Sequence, residues 1–146
     1  MLTADELPTK GKVMANRLTI KDGKEKYMRA LGYCPQFFGI DEFLTGKQIL
    51  EITLTLRGFY PRDIVTETKN WIDIVGLQKY AKRLTSSYSG GCKRRIATAV
   101  AMCGEAPVAL LDEPTAGVDV AARRKVWAAL RRGLLQGRSI IITSHR

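Results

Sequence analysis

The 146-residue chain is poor in several things that would each announce a function class. No apolar run approaches the roughly 20 residues that a bilayer-spanning helix needs. If a membrane is involved, another segment supplies the anchor. The first residues, MLTADELPTKGK, contain no hydrophobic signal core. There are only three cysteines, Cys34, Cys92 and Cys103. Their spacing matches no zinc pattern, and an odd count argues against a disulfide framework, so a reducing, cytosolic setting fits best. No internal repeat or low-complexity stretch appears. No long polybasic run appears either, although the net charge is +10. That charge permits a nucleic-acid, phosphate or acidic-membrane partner. Lysines and arginines spread along the chain are explained as well by a solvated surface. What remains is one globular domain by length, 45% hydrophobic and 26% charged, with enough chain for a core.

Residues 1–23 read as the end of an element, then turn and short strands, punctuated by Pro8 and Gly11. A short helix is predicted over 24–30, and a short strand over 31–34 that Pro35 stops. Residues 45–57 read as a helix with Thr45 as a candidate N-cap; Ile49, Leu50, Ile52, Leu54 and Leu56 give it apolar surface with imperfect periodicity. Residues 61–75 form a clearer pattern. Pro61 suits a first turn, and Ile64, Val65, Thr68, Trp71, Ile72 and Val75 share a face. Trp71 and Ile72 are core by default. A further helix is predicted over 89–103, with Ile96, Ala99, Val100 and Cys103 inward. Buried strands are predicted over 108–111 and 139–143. Between them lies a helix over 120–135 with Val126, Trp127, Leu130 and Leu134 inward and Arg123, Arg124, Arg131 and Arg132 on its wetter side. Strand, helix, strand implies a parallel sheet with a right-handed crossover, hence an α/β fold with a helical middle.

The stretch VALLDEPTAGVD, residues 108–119, carries the strongest chemical signal. Two carboxylates, Asp112 and Glu113, end an apolar strand. Burying them costs solvation free energy unless a metal or donors meet them. Such a pair suits a magnesium nucleotide site, one acid on the metal and the other on an attacking water. An exposed strand-to-loop junction is the plain alternative. Nothing upstream reads G-x-x-x-x-G-K-[ST]; Gly11-Lys12 and Gly46-Lys47 are decoys followed by Val13 and Gln48. Ser89-Gly90-Gly91 opens a helix with unpaired N–H groups, a dipole end and a hydroxyl, which suits a γ-phosphate. Taken alone this signal is weak, and a Ser N-cap after a flexible turn is the better reading. His145, the single histidine, follows the last strand. Strand ends in open α/β sheets face the ligand crevice, where it would meet a γ-phosphate or lytic water; a surface histidine is the plain alternative. Gln36, after GYCP, reads by itself as a solvated loop residue.

In this order and spacing, these elements resemble the nucleotide-binding cassette of ABC ATPases, a partial P-loop NTPase fold with a mostly parallel sheet and a helical subdomain. Gln36 matches that family's Q-loop, SYSGG its signature motif, residues 108–113 its Walker B strand plus catalytic glutamate, residues 116–119 its D-loop, and His145 its switch histidine. LGYCPQFFGIDEFLTGKQIL, SYSGGCKRR, LLDEPTAGVD with AARRKVW, and GRSIIITSH are similar to the A subfamily of ABC transporters, mostly lipid exporters or flippases. Tyr88 and GYCPQ are closer to the second cassette of that subfamily. The resemblance implies ATP and Mg²⁺ as cofactors. Asp112 would help bind the metal, with Gln36 sensing metal and γ-phosphate. Glu113 would polarise water and His145 would contact the γ-phosphate. Ser89, Gly90 and Gly91 would complete the site on an opposite cassette, with Asp119 in the D-loop. It implies three parts: 1–44, core ending in the Q-loop; 45–88, helical subdomain; 89–146, signature helix, Walker B, D-loop and switch-histidine core. The implied partners are a second cassette and transmembrane domains, with lipid reached through the latter. The implied location is at a membrane through the parent transporter, cassette on the cytoplasmic side. Nucleic acid is not expected.

The chain departs from the family pattern at Cys92, where Gln or Asn is usual, at Val120, where Pro is common, and at Ala4, where Gly usually follows Met-Leu-Thr. Met1-Leu2-Thr3 resembles the end of the helix after Walker A. The expectation is therefore an internal fragment that binds ATP weakly and hydrolyses it negligibly by itself, with a sheet edge or apolar face left open. Two rivals stay open: a soluble ABC ATPase of translation or DNA repair, and a non-catalytic fragment that binds or regulates a partner cassette.

Overall fold

A computed structural model describes residues 2–37 and 39–144. In chain order the elements are β1 (Met14–Ala15), β2 (Leu18–Thr19), α1 (Lys24–Arg29), β3 (Leu31–Cys34), α2 (Gly46–Leu56), α3 (Pro61–Ile74), α4 (Gly90–Met102), β4 (Val108–Asp112), α5 (Val120–Leu135) and β5 (Ser139–Thr143). β1 and β2 form a small antiparallel ribbon. β3, β4 and β5 form a parallel sheet in that order, with Leu31 opposite Val108 and Asp112 opposite Thr143.

Local chemistry places the helix starts. Thr45 caps α2: its hydroxyl accepts from Gln48 N at 3.2 Å, while Gln48 Oε1 accepts from Thr45 N at 2.9 Å. This reciprocal box satisfies two otherwise orphaned donors. Pro61 occupies the first turn of α3, where its missing N–H costs nothing. Ser89 and Asp119 cap α4 and α5 one way only, each side chain accepting from the N–H three residues on.

The strand period of two then sorts β4 between two cores. Ala109 and Leu111 join the larger core with Leu50, Leu54, Trp71, Ile96, Val126 and Leu130. Leu110 turns to the other face, against Ala4, Ala15, Tyr27 and Leu31. Burial of each such large side chain stabilises the fold by about 1.5–3 kcal/mol. Tyr27 donates to the Leu2 carbonyl at 2.9 Å and so fastens the start of the chain onto α1.

Several side chains differ from expectation. On α5 the buried face is Ala122, Val126, Ala129, Leu130 and Gly133, while Trp127 and Leu134 are 46% and 56% exposed. The helix approaches its neighbours through small residues, which an apolar pattern overlooks. A Cβ on Gly133 would stand 2.2 Å from Met102 Cε. Val65 lies outside the α3 contact face, which runs Ile64, Thr68, Trp71, Ile72. Ile52 and Leu56 are exposed on α2, where Leu50 and Leu54 do the packing. Strand β5 is not buried. Like β3 it is an edge of the described three-stranded sheet, and Ile141 and Ile142 are both exposed. Among the described residues, no helix is long and apolar enough to cross a membrane.

Candidate functional site

The two carboxylates emerge where β4 meets β5. Thr143 fastens both. Its hydroxyl donates to Asp112 Oδ1. Its carbonyl and hydroxyl oxygens both accept from Glu113 N, at 3.2 and 3.3 Å. One threonine thus fixes the strand end and leaves Asp112 Oδ2 outside that bond. Asp112 is half-buried and Glu113 is buried. Glu113 holds a left-handed backbone, φ 49°. For a residue with a Cβ this conformation is strained, and such strain gathers at functional sites. Glu113 lines a cavity of about 270 Å³ with Thr115, Ala116, Gly117, Arg123, Trp127 and Ser144. Tyr33, on the adjacent strand β3, has its phenol pushed up by burial first and by the Asp112 charge next.

Gln36 arrives from the neighbouring strand. Cys34 pairs with Leu111, so Gln36 and Asp112 leave adjacent strands at the same sheet end. The Gln36 side chain is exposed. It lines a wider cleft of about 690 Å³ with Phe37, Gly39, Gly90, Lys93, Arg94, Ala116 and Gly117. The start of α4 therefore faces the Gln36 loop. It also lies close to the turn after Glu113, since a Cβ on Gly91 would stand 3.9 Å from the Gly117 carbonyl. Ser89 Oγ accepts from Cys92 N at 3.3 Å, and its O–H is a donor besides. Asp119 Oδ1 accepts from Ala122 N at 2.8 Å. Both residues therefore have a capping duty, whatever else they touch. Ala116 and Gly117 line both cavities, which makes residues 114–118 the ridge between them. His145 lies outside the described residues.

A magnesium ion is tested by this donor set. Among the described residues, no group of three His, Cys, Asp or Glu side chains could hold a metal. Mg²⁺ does not need such a group, since it keeps several waters and takes one or two protein oxygens plus phosphate. Asp112 Oδ2 and the Gln36 amide oxygen are hard oxygen donors of that kind.

A family model described as "ABC transporter" matches residues 1–116. The chain belongs to the ABC transporter family. It is 41% identical over 146 residues to the retinal-specific phospholipid-transporting ATPase ABCA4 of Bos taurus, covering 99% of this chain and 6% of that protein. It is 39% identical over 145 residues to ATP-binding cassette sub-family A member 7 of Mus musculus, covering 99% of this chain and 7% of the relative. The chain thus spans a small part of the curated relatives it matches. Its fold is that of an ATP-binding subunit of an ABC transporter, with TM-score 0.90 and 22% identity over 99% of this chain and 60% of the other. It also matches a dimeric cassette in a post-hydrolysis state bound to ADP and Pi, with TM-score 0.83 and 20% identity over 97% of this chain and 65% of the other.

Within this ABC cassette, the decoy Gly46-Lys47 has a packing explanation. A Cβ on Gly46 would stand 2.3 Å from Tyr88 Oη. Tyr88 in turn donates to the Tyr80 carbonyl at 2.8 Å. Lys47 pairs with Glu51 at 3.4 Å. The departure at Ala4 also has a local consequence. Its φ is 59°, a conformation glycine adopts freely and alanine does not. At the Cys92 departure, Cys92 Sγ accepts from Arg95 Nη2 at 3.3 Å, while Arg95 Nη1 also donates to the Val75 and Gly76 carbonyls. Sequence reasoning missed Thr143, Arg94 and Tyr33 as parts of this neighbourhood. Arg94 stood inside the quoted SYSGGCKRR, but its partner is remote in sequence.

Proposed function

We propose that this chain is part of the nucleotide-binding cassette of a lipid-exporting transporter that hydrolyses Mg-ATP. The observation that carries the reading is the Asp112–Glu113 pair, pinned by Thr143 beside the start of α4. Asp112 Oδ2 and Gln36 would hold Mg²⁺, which when bound neutralises charge on the phosphates. Glu113 orients and polarises the attacking water in an in-line displacement that yields ADP and phosphate. His145 contacts the γ-phosphate. Ser89, Gly90 and Gly91 offer a hydroxyl and a helix N-terminus to the nucleotide of a second cassette, and Asp119 lies at that interface.

The proposed parts are residues 1–44, core ending at the Q-loop, 45–88, helical subdomain, and 89–146, signature helix to switch histidine. The proposed partners are that second cassette and transmembrane domains, with lipid reached through the latter and the cassette on the cytoplasmic face. Similarity to proteins named phospholipid-transporting ATPases supports the substrate class.

A chimera tests the reading: residues 1–146 replace the matched region of the bovine ATPase. Mg-ATP turnover is expected in the chimera, with Glu113→Gln lowering it by about two orders of magnitude while ATP still binds. A folded chimera whose turnover ignores Glu113→Gln would overturn the assignment.

A further inference from the structure

Arg94 is an arginine in an unusual place, only 7% exposed within α4. Burying a guanidinium costs solvation free energy unless its N–H groups meet acceptors. The acceptors here come from one short segment. Arg94 Nη1 donates to the Pro35 carbonyl at 2.7 Å and to Cys34 Sγ at 3.9 Å. That is the residue directly before Gln36 and the last residue of β3. The neighbouring Lys93 is half-buried, pairs with Glu42 at 3.0 Å and lines the same cleft.

Because the peptide unit is planar, fixing the Pro35 carbonyl also fixes the direction of the Gln36 N–H and the position of its Cα. A charge-assisted bond at 2.7 Å is among the stronger hydrogen bonds a protein makes. Arg94 stands on the same rigid helix that begins at Ser89, about 7 Å further along its axis at 1.5 Å per residue. The first residue of the Gln36 loop is thereby bolted to the element that carries Ser89, Gly90 and Gly91.

We propose that Arg94 is the positioning residue of the Gln36 loop, holding it in register with the start of α4; this rests on the ATPase reading above. Loss of the side chain would free the Pro35–Gln36 peptide without removing any group that touches nucleotide. The expected signature is a turnover defect with little change in apparent affinity for ATP, accompanied by loosening of Gln36, Phe37, Gly39 and Ile40.

Backbone amide relaxation on the 146-residue chain and turnover in the chimera test this together. In Arg94→Met, the order parameters of Gln36, Phe37, Gly39 and Ile40 are expected to fall from the rigid range of about 0.85 to below about 0.6, with β4 and α5 unchanged. Arg94→Lys, which keeps a cationic donor, restores most of the order. In the chimera, Arg94→Met lowers kcat about tenfold with KM within about twofold, and Arg94→Lys recovers part of it. Unchanged order parameters at these four residues overturn the proposal. So does equal loosening across β4 and α5, which would make Arg94 a general stability residue. If Arg94→Met does not fold, Arg94→Gln against Arg94→Lys decides the same question, and equal order in the two overturns it. A chimera in which Glu113→Gln abolishes turnover but Arg94→Met leaves it intact is evidence against Arg94 alone. One indifferent to Glu113→Gln is evidence against the ATPase reading.

Discussion

The two flanks of β4 are built very differently. On the β3 side the sheet lies hard under α4. Cys34 is buried, and Gly32 is held so tightly that a Cβ would stand 1.9 Å from the Ala101 carbonyl. On the β5 side the strand SIIIT is apolar and β-branched, yet its residues are exposed or half-buried. Strand propensity is similar on both sides. The difference is cover: α4 crosses β3, while residues 2–30 shield Leu110 and leave Ile141 open. The acidic pair sits on the seam. Glu113 is buried, but what holds its backbone is Thr143, from the open flank.

The largest effect should come from breaking the packed flank. Gly32→Ala is expected to cost about 3 kcal/mol or more, because the clash is with backbone that has nowhere to move. Ile141→Ala on the open flank should cost less than about 1 kcal/mol. Urea unfolding of both variants measures the gap, and equal costs would mean that β5 is covered in solution.

A smaller effect of opposite sign is expected where the backbone turns left-handed. Glu113→Gly and Ala4→Gly should each stabilise the fold by about 1 kcal/mol in the same assay, since glycine adopts positive φ without penalty. Glu113→Gly would do so while removing the proposed water-orienting group. Destabilisation by Glu113→Gly would show that its side-chain contacts outweigh the strain.

The smallest effect probes how dry the packed flank is. Cys103, at the end of α4, is fully buried, and burial pushes its thiol up to about 12 from the model-compound 9.0. A raised thiol pKa means that the folded chain holds a proton which the unfolded chain gives up above pH 9. Stability is therefore full below that point and falls as pH rises toward 12. Between pH 8 and 9.5 the loss should be about 0.8 kcal/mol. Cys103→Ala should lack this component of the pH slope. An identical slope in both proteins would place the thiol in contact with water.

Much of the fold is legible in the sequence. The strands over 31–34 and 139–143 and the helix over 120–135 fall where the sequence places them, and β4 extends one residue further, to Asp112. The Thr45 cap and Pro61 in a first turn mark their helix starts through chemistry local to a few residues. The acidic pair was legible because two carboxylates after a buried strand are costly without a purpose. Burial was less legible. Trp127 and Leu134 are apolar and in phase with a helix, but Gly133 and Ala129 make the contact. Hydrophobicity alone does not register that small residues let helices come close.

By itself the sequence determined what depends on neighbours along the chain: element bounds, caps, the strand-end carboxylates, the order of motifs and the family they resemble. Only the tertiary structure decided what depends on neighbours across space. It put Thr143 against Asp112 and Glu113, thirty residues away, and Arg94 against Pro35, fifty-nine away. It also left β5 on the open edge. The physical reason is that a hydrogen bond or a buried contact depends on which groups the folded layers bring within about 3–4 Å, and no local pattern of residue types carries that information.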